Sequence, residues 1–307
     1  MDVEFGRRRS QPGRQAGSHT TLVWERTVLA AERRDLVGDW FKNRNIAANV
    51  RGGIHDDEAA KRLGFRGAWV SGRVHLSTFA PVLVEAFGPA WFEHGSISMD
   101  FRSATIDQED VRAILCAVPA SPSNIQLDAR MESADGTLVA IGTAANSVGA
   151  EPTYLGRKNL TAYDQPPYEL VDEIVPGDVF EEVEYTPTLQ VAQRIVDGTV
   201  ALDWYTEGSP WGPPIAAPGV MVSALGAACH RYLRAHPFLG VPVDGATELR
   251  NINGPIFMGE TYRVGGRIVA RGRSPRSEYF WYESWMDDLH GKRIAEMLLQ
   301  WRCIKNW

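Results

Sequence analysis

The sequence predicts an α+β protein made of two similar units, each with an antiparallel β-sheet wrapped around a long central α-helix. Three observations support this prediction: each half of the chain has one apolar segment with helical spacing, strand-like segments follow each of them, and corresponding features recur at a nearly constant interval. Gly72 and Gly219, which precede the two helical segments, are about 150 residues apart, as are the turns at Asp135-Gly136 and His290-Gly291.

The two helical segments run from Arg73 to Phe87 and from Val220 to Leu233, and each has apolar residues every three or four positions. Because these segments are apolar on several sides, we expect each one to be enclosed by its sheet rather than to lie on a surface. Four strand-like segments follow each helix, at 96–102, 110–118, 125–133 and 138–146 in the first half, and at 248–253, 260–271, 278–287 and 293–305 in the second.

The chain between the two units has no hydrophobic periodicity and is rich in Pro and Gly, which is typical of a segment that crosses a surface between two cores. We therefore predict a disordered tail at 1–17, a first unit at 18–148, a linker at 149–168 and a second unit at 169–307.

The composition is that of a globular protein: of 307 residues, 44% are hydrophobic and 23% are charged. The net charge of −6 argues against nucleic acid or an anionic membrane as a partner, because both require a basic surface. No apolar stretch is long enough to span a membrane and no apolar segment follows the N-terminal arginines, so we expect a cytoplasmic protein. Cys116, Cys229 and Cys303 lack the spacing of a disulfide framework or a zinc site.

Several short motifs resemble those of one enzyme family. They are Ile54-His55-Asp56-Asp57-Glu58-Ala59-Ala60, Gly64-Phe65-Arg66-Gly67, Val70-Ser71-Gly72 and Asn253-Gly254-Pro255-Ile256-Phe257-Met258-Gly259-Glu260-Thr261. These motifs and the two-unit layout resemble the double hotdog fold of the MaoC-like (R)-specific enoyl-CoA hydratases and dehydratases. The resemblance covers roughly residues 20 to 307.

The resemblance implies an enzyme that adds water to, or eliminates water from, an acyl thioester of coenzyme A or of an acyl carrier protein, without a metal or redox cofactor. It also implies that His55, which stands before Gly72 at the family's spacing, moves the proton. The Asp and Asn that precede this histidine in the family are replaced by Val50 and Gly52. A valine cannot accept a proton, so the usual acid–base pair is incomplete.

A second hotdog template is that of the dehydratases of fatty-acid synthesis, in which a histidine precedes the helix and a carboxylate lies within it. The corresponding positions are Leu63 and Ser77 in the first half, and Pro210 and Ala224 in the second. None of these residues has the required chemistry, so this template does not apply.

Five residues are candidates for the chemistry. His55 follows a glycine-rich turn, from which it either projects into a cleft or forms a structural hydrogen bond. Asp57 either caps the helical run that follows or orients His55. His75 lies near a helix N-terminus, where the local potential favours a neutral imidazole, and is either a general base or a core histidine. Asp203 and Glu207 either meet His55 across the seam between the units or are solvated.

Five further residues are candidates for substrate binding. Gly72 and Gly219 stand at the two helix starts, where the resemblance implies that backbone N–H groups polarise the thioester carbonyl; alternatively, they only allow close packing. Trp69 and Ser71 lie in the loop that leads to the first helix. Arg273 belongs to a basic turn that either binds coenzyme A phosphates or is solvated.

Two alternatives to a hydratase or dehydratase remain open: an acyl-CoA thioesterase, and a non-catalytic acyl-thioester-binding protein or partner subunit. Because two units in one chain already form the pair that single-unit relatives build by dimerising, the sequence is compatible with a monomer and with a homodimer. We favour the homodimer.

Overall fold

The computed structural model of the chain describes residues 33–47, 53–62, 64–120, 122, 124–147, 149, 151–236 and 240–305. All of these residues belong to one compact unit, Glu32–Trp307. The predicted tail at 1–17 lies outside the described residues, as do Val50, Gly52 and Leu63.

The strands of the described residues form one antiparallel sheet of eleven strands. In the first half they are β1 (Arg34–Val37), β2 (Phe41–Lys42), β3 (Ser96–Phe101), β4 (Asp110–Val118), β5 (Gln126–Ser133) and β6 (Leu138–Ala145). In the second half they are β7 (Val183–Tyr185), β8 (Val241–Asn251), β9 (Tyr262–Ser274), β10 (Ser277–Asp287) and β11 (Arg293–Ile304). The eight predicted strand segments are confirmed as β3 to β6 and β8 to β11, although β8 begins at Val241 rather than at Glu248.

The two halves of the chain share this sheet. The strand order is β1-β4-β5-β6-β3-β8-β11-β10-β9-β7, and β2 pairs with β4 beside β1. The halves meet where β3 pairs with β8, with Ile97 opposite Leu249. Residues near this seam therefore come from distant parts of the sequence.

The described residues contain seven α-helices: α1 (Asp57–Arg62), α2 (Gly72–Thr78), α3 (Ala80–Phe87), α4 (Trp91–His94), α5 (Leu189–Val196), α6 (Pro218–Leu225) and α7 (Ala227–Ala235). A single 3₁₀ turn, Asp203–Tyr205, precedes α6 in this part of the chain. None of the described helices is both long enough and apolar enough to cross a membrane.

Each half has two consecutive short helices in place of the single long central helix that we predicted. In the first half α2 and α3 are separated at Phe79, and Pro81 follows in the first turn of α3. Proline has no N–H, so the hydrogen-bond ladder cannot continue through this point. In the second half Gly226 separates α6 from α7. A glycine weakens a helix at such a position because its backbone is the least restricted.

The four central helices bury their apolar residues against the sheet. Leu76 and Leu83 in the first half, and Val220 and Leu225 in the second, have no exposed surface. Burial of a side chain of this size contributes roughly 1.5–3 kcal/mol relative to exposure. The predicted enclosure of the helical segments on several sides is thus confirmed, even though each segment is divided in two.

The chain between the halves packs on the sheet face opposite the helices. Leu155 is buried there against Tyr279 and Trp281 of β10, whereas Phe280, between them, belongs to the core on the helix side. The backbone N–H of Leu155 also donates to Ser98 Oγ of β3 at 3.0 Å. Alternation along β10 therefore supplies two apolar layers, one under the helices and one under the connecting segment.

Candidate active site

A cavity of about 400 Å³ lies between the two halves. The first half contributes residues 46–47, 53–55 and 69–73 to its wall, and the second half contributes Val191, Arg194, Ile195, Ser223, 241–244 and Trp301. Its volume is that of a small-molecule site, and its wall is mainly apolar with a few polar and charged groups. This combination is typical of a site that binds and orients an organic substrate.

His55 lines this cavity, and its ring orientation is set by a backbone carbonyl. His55 Nδ1 lies 2.7 Å from the carbonyl oxygen of Trp69. A carbonyl can only accept, so Nδ1 carries a hydrogen, and Nε2 of the neutral ring carries the lone pair. The backbone around the ring is also held, because Trp69 N–H donates to Ile54 O at 2.8 Å and Asn45 Nδ2 donates to His55 O at 2.8 Å. His55 is therefore a positioned proton acceptor.

The start of α2 forms the adjoining wall of the cavity. Ser71 is the N-cap residue: its Oγ accepts from Arg73 N–H at 3.4 Å, and its carbonyl accepts from Val74 N–H at 3.0 Å. The backbone N–H of Gly72 makes no hydrogen bond to any of the described residues. A Cβ at Gly72 would lie only 2.7 Å from the ring of Phe101, so glycine is required for this close packing. Both proposed roles of Gly72, close packing and an available N–H donor, are compatible with this geometry.

A carboxylate from the second half, that of Asp244, lines the same cavity. Asp244 is half-buried on β8, and Ser71 Oγ approaches its Oδ2 to 3.5 Å. The pairing of β8 with β11 is irregular here, because Trp301 lies opposite Asp244 while Gln300 lies opposite Ala246. This β-bulge leaves Gly245 as the extra residue. The bulge places an acidic side chain beside the α2 start.

The first half also contributes a cation, that of Arg73, which reaches across to the second half. Its Nη1 donates to Ser223 Oγ of α6 at 3.1 Å, and Ser223 Oγ donates to the Gly219 carbonyl at 3.1 Å. His230 lies nearby: burial and, to a smaller extent, the charge of Arg73 lower its pKa to about 4. Sequence reasoning assigned no role to Arg73 or Asp244.

Asp57 lies on the surface, where it joins two segments. Its carboxylate accepts from the backbone N–H of Ala68 at 3.2 Å and pairs with Lys61 at 2.5 Å. The Lys61 ammonium, and then the Ala68 amide, lower the pKa of Asp57 below its ordinary value. The neighbouring Asp56 is the helix cap, since its Oδ1 accepts from Glu58 N–H at 3.0 Å. Asp57 lines a neighbouring cavity, shared with His55, but not the cavity between the halves.

His75 is buried in the core and does not line the cavity. The side-chain amide of Asn43 lies beside His75. Its nitrogen donates to the carbonyl of Ile106 at 2.9 Å, and its oxygen accepts from the Thr105 hydroxyl at 2.7 Å. Thr105 then accepts from His75 Nε2–H, 2.9 Å away. Burial lowers the pKa of His75 to about 4. This geometry is that of a neutral core histidine, the second of the two roles considered for it.

The structure does not bring Asp203, Glu207 or Gly219 to the cavity wall. Asp203 and Glu207 are exposed, and the Asp203 carbonyl accepts from the Glu207 amide at 3.0 Å within a tight turn. The buried N–H of Gly219 already donates to Ser77 Oγ at 2.8 Å. Gly219 therefore serves close packing between α6 and α2, since its amide is occupied.

Arg273 lies in a different cavity, on the sheet face that the connecting segment covers. Its Nη1 donates to the Pro167 carbonyl at 3.3 Å, and its backbone N–H donates to the Tyr163 carbonyl at 3.2 Å. These contacts hold the connecting segment on the sheet. Arg273 is thus separated by the sheet from the cavity that His55 lines.

Solved structures resemble the chain over most of its length. A MaoC domain protein described as a dehydratase from Chloroflexus aurantiacus has a TM-score of 0.55 at 12% identity, with 90% of this chain and 96% of that chain covered. A conserved hypothetical protein from Mycobacterium tuberculosis, described as having a double hotdog fold, has a TM-score of 0.55 at 13% identity over 87% and 96% of the two chains. A MaoC-like dehydratase has a TM-score of 0.51 at 13% identity over 90% and 99%.

No protein-family model and no curated protein sequence matches the chain. At identities of 12–13% the structural similarity concerns the fold, and it agrees with the eleven-stranded antiparallel sheet described above. The chain has the double hotdog fold described for the Mycobacterium tuberculosis protein, and its fold is similar to that of the two MaoC dehydratase structures.

Proposed function

We propose that this protein is an acyl-thioester hydratase or dehydratase in which His55 is the general acid–base group. The observation that carries the proposal is the hydrogen bond from His55 Nδ1 to the Trp69 carbonyl, in a cavity between the halves of a double hotdog fold. This bond leaves Nε2 as the proton acceptor. It supplies the orientation that a carboxylate partner gives to histidine in many acid–base sites.

In the hydration direction, His55 Nε2 takes a proton from water while the water oxygen forms a bond to C3 of the 2-enoyl thioester. The electrons of the C2–C3 double bond move toward the thioester carbonyl and give an enolate. The His55 imidazolium then returns the proton to C2, so that the atoms of one water are added in total. Dehydration is the same path in reverse.

Asp244 and Gly72 would support these steps from opposite halves of the chain. The Asp244 carboxylate lines the same cavity as His55, where it would accept a hydrogen bond from the reacting water and hold it near C3. The Gly72 N–H would donate to the enolate oxygen as negative charge develops there. Ser71 would keep the Asp244 carboxylate beside the helix start through its hydroxyl.

Thioester hydrolysis is the second candidate, because a histidine held with Nε2 as its proton acceptor can activate water for either reaction. The same histidine would then direct water at the carbonyl carbon of the thioester instead of C3. The products differ, since hydrolysis releases a free thiol and hydration does not.

The test is turnover on saturated, 2-enoyl and 3-hydroxyacyl CoA thioesters, with enoyl absorbance and free thiol followed together. We expect the wild type to interconvert the enoyl and 3-hydroxyacyl forms without thiol release. His55→Gln should lower turnover by about 10² to 10⁴-fold, as expected for the loss of a general base, with little change in binding.

His94→Gln is the matched control, because His94 Nδ1 also approaches a backbone carbonyl, that of Ile252 at 3.2 Å, but on the exposed surface. It should retain wild-type turnover. Thiol release by the wild type would identify a thioesterase, and tight binding with no turnover would identify a non-catalytic thioester-binding protein.

A further inference from the structure

Arg73 lines the cavity between the halves. It is half-buried in the first turn of α2, and its guanidinium reaches Ser223 Oγ on α6 at 3.1 Å. Its charge also acts on Tyr282, a fully buried residue of β10, and on His230 of α7. The guanidinium therefore lies against α6 rather than extending into solvent.

The charge of Arg73 lacks a close counter-ion. Within the described part of the chain, no carboxylate oxygen is within ion-pair distance of its guanidinium. Among the described side chains, the guanidinium donates a hydrogen bond only to Ser223 Oγ. The carboxylate of the cavity wall, that of Asp244, accepts instead from Ser71 Oγ at 3.5 Å. Arginine does not lose its proton under ordinary conditions, so a partly desolvated guanidinium is stabilised only by an anion or several acceptors.

We propose, on the basis of the proposed function, that the acyl group of the substrate carries a carboxylate and that Arg73 binds it. The planar fork of a guanidinium matches the two oxygens of a carboxylate, and a partly buried setting strengthens such a pair. On the α6 side, the Ser223 hydroxyl accepts a hydrogen bond from this guanidinium. The substrate class is therefore the CoA or carrier-protein monothioester of a dicarboxylic acid.

The structure also limits the length of this acyl group. Arg73 is the neighbour of Gly72, whose amide is the proposed contact of the thioester carbonyl, so the two ends of the acyl group lie within the reach of one arginine side chain. A cavity of about 400 Å³ that also admits part of the thioester arm leaves room for a short chain. We infer an acyl group of about four to six carbons.

The test compares ligands that differ only in the exchange of a methyl for a carboxylate. Butyryl-CoA and succinyl-CoA are the saturated pair, measured by calorimetric titration. Crotonyl-CoA and the CoA monothioester of fumarate are the enoyl pair, measured by turnover. We expect succinyl-CoA to bind the wild type at least tenfold more tightly than butyryl-CoA, and the fumarate monothioester to have the larger kcat/KM.

Arg73→Met keeps a side chain of similar length without the charge. It should bind succinyl-CoA at least tenfold more weakly than the wild type does and should bind butyryl-CoA unchanged or more tightly. Arg73→Lys keeps the charge without the fork and should retain part of the preference, which provides a second variant if the methionine variant does not fold. Arg231→Met is the control, because Arg231 lies on the surface in a pair with Glu181 at 2.9 Å.

Equal affinity of the wild type for the two saturated ligands would overturn the proposal while leaving the proposed function intact, provided that crotonyl-CoA is hydrated. A preference for succinyl-CoA that persists in Arg73→Met would also overturn it, because the anion would then be bound elsewhere. If the wild type binds none of the four thioesters, both the carboxylate proposal and the proposed function fail.

Discussion

Gly219→Ala tests whether the close packing of α6 on α2 stabilises the folded protein. A Cβ at this position would lie 2.7 Å from the Arg73 carbonyl oxygen, 2.9 Å from Ser77 Oγ and 3.1 Å from Ile195 Cδ1. Ordinary contacts of a Cβ begin near 3.4 Å, and the nearest atom belongs to the backbone of another helix. The two helices must therefore separate to admit one methyl group.

The expected change follows from three contributions. Replacing a helical glycine by alanine stabilises by up to about 1 kcal/mol through backbone entropy. Overpacking costs about 1–3 kcal/mol. Lengthening the 2.8 Å hydrogen bond from Gly219 N–H to Ser77 Oγ costs roughly 1 kcal/mol more. The net result is a destabilisation of about 2 kcal/mol, and a fall in Tm of about 3 °C for a chain of this size.

Thermal unfolding followed by circular dichroism measures this change. Gly53→Ala is the control, since a Cβ at Gly53, which lines the same cavity, would meet no atom of the described residues within 4 Å. The control should unfold within about 1 °C of the wild type, as expected for a substitution that meets no neighbour. A Tm for Gly219→Ala equal to or above that of the wild type would refute the argument, because the helices would then have room for the methyl group.

Three further predictions follow from the same geometry. Because burial holds the pKa of His75 at about 4 in the folded protein, against 6.5 for a free histidine, the unfolded chain binds more protons between these values. His75 should therefore lower the stability by up to about 3 kcal/mol as the pH drops through this window, and His230, whose pKa is also lowered to about 4, should add a similar loss. Urea denaturation at several pH values measures this loss, which His75→Gln should reduce. Asp244→Asn should lower kcat on a 2-enoyl thioester by at least tenfold with the affinity for a saturated thioester nearly unchanged; an unaltered kcat would remove Asp244 from the proposed site. Asp57→Asn should lower kcat by less than tenfold, because this exposed carboxylate holds a loop, and a loss as large as that of His55→Gln would return it to the catalytic groups.

The fold could be predicted from the sequence because its signals are local. The helical spacing of residues 73–87 and 220–233 and the alternation within each strand depend on neighbours along the chain. The eight strand segments are therefore confirmed with small shifts at their ends, except that β8 begins seven residues before the predicted start. The division of each helical segment had a local signal as well, Pro81 in the first half and Gly226 in the second. Apolar periodicity continues across both points, which is why it suggests one long helix.

The polar residues of the candidate site were harder to predict, because they meet only through the tertiary structure. A carboxylate from the second half was expected near His55, and Asp203 and Glu207 were chosen because they precede the second helix as His55 precedes the first. The structure places Asp244 there instead. Asp244-Gly245 has the composition of a turn, and a bulge within β8 accommodates this dipeptide without ending the strand. Arg73 had a usable signal, since it is the one Lys or Arg in a largely apolar helical segment.

Gly72 links the two halves of the candidate site through a packing requirement. A Cβ there would meet the Phe101 ring at 2.7 Å and Asp244 Cβ at 3.2 Å. Only glycine lets the start of α2 approach β3 and β8 this closely, and the approach brings the Gly72 amide and the Asp244 carboxylate to one cavity wall. A side chain at this position would move α2 away from the strands. The same movement would separate the Gly72 amide, the proposed oxyanion donor, from the Asp244 carboxylate, the proposed ligand of the water. Close packing and catalysis therefore both require glycine here. The two roles considered for Gly72 in the sequence are not alternatives in this arrangement: the close packing is what would make the amide useful.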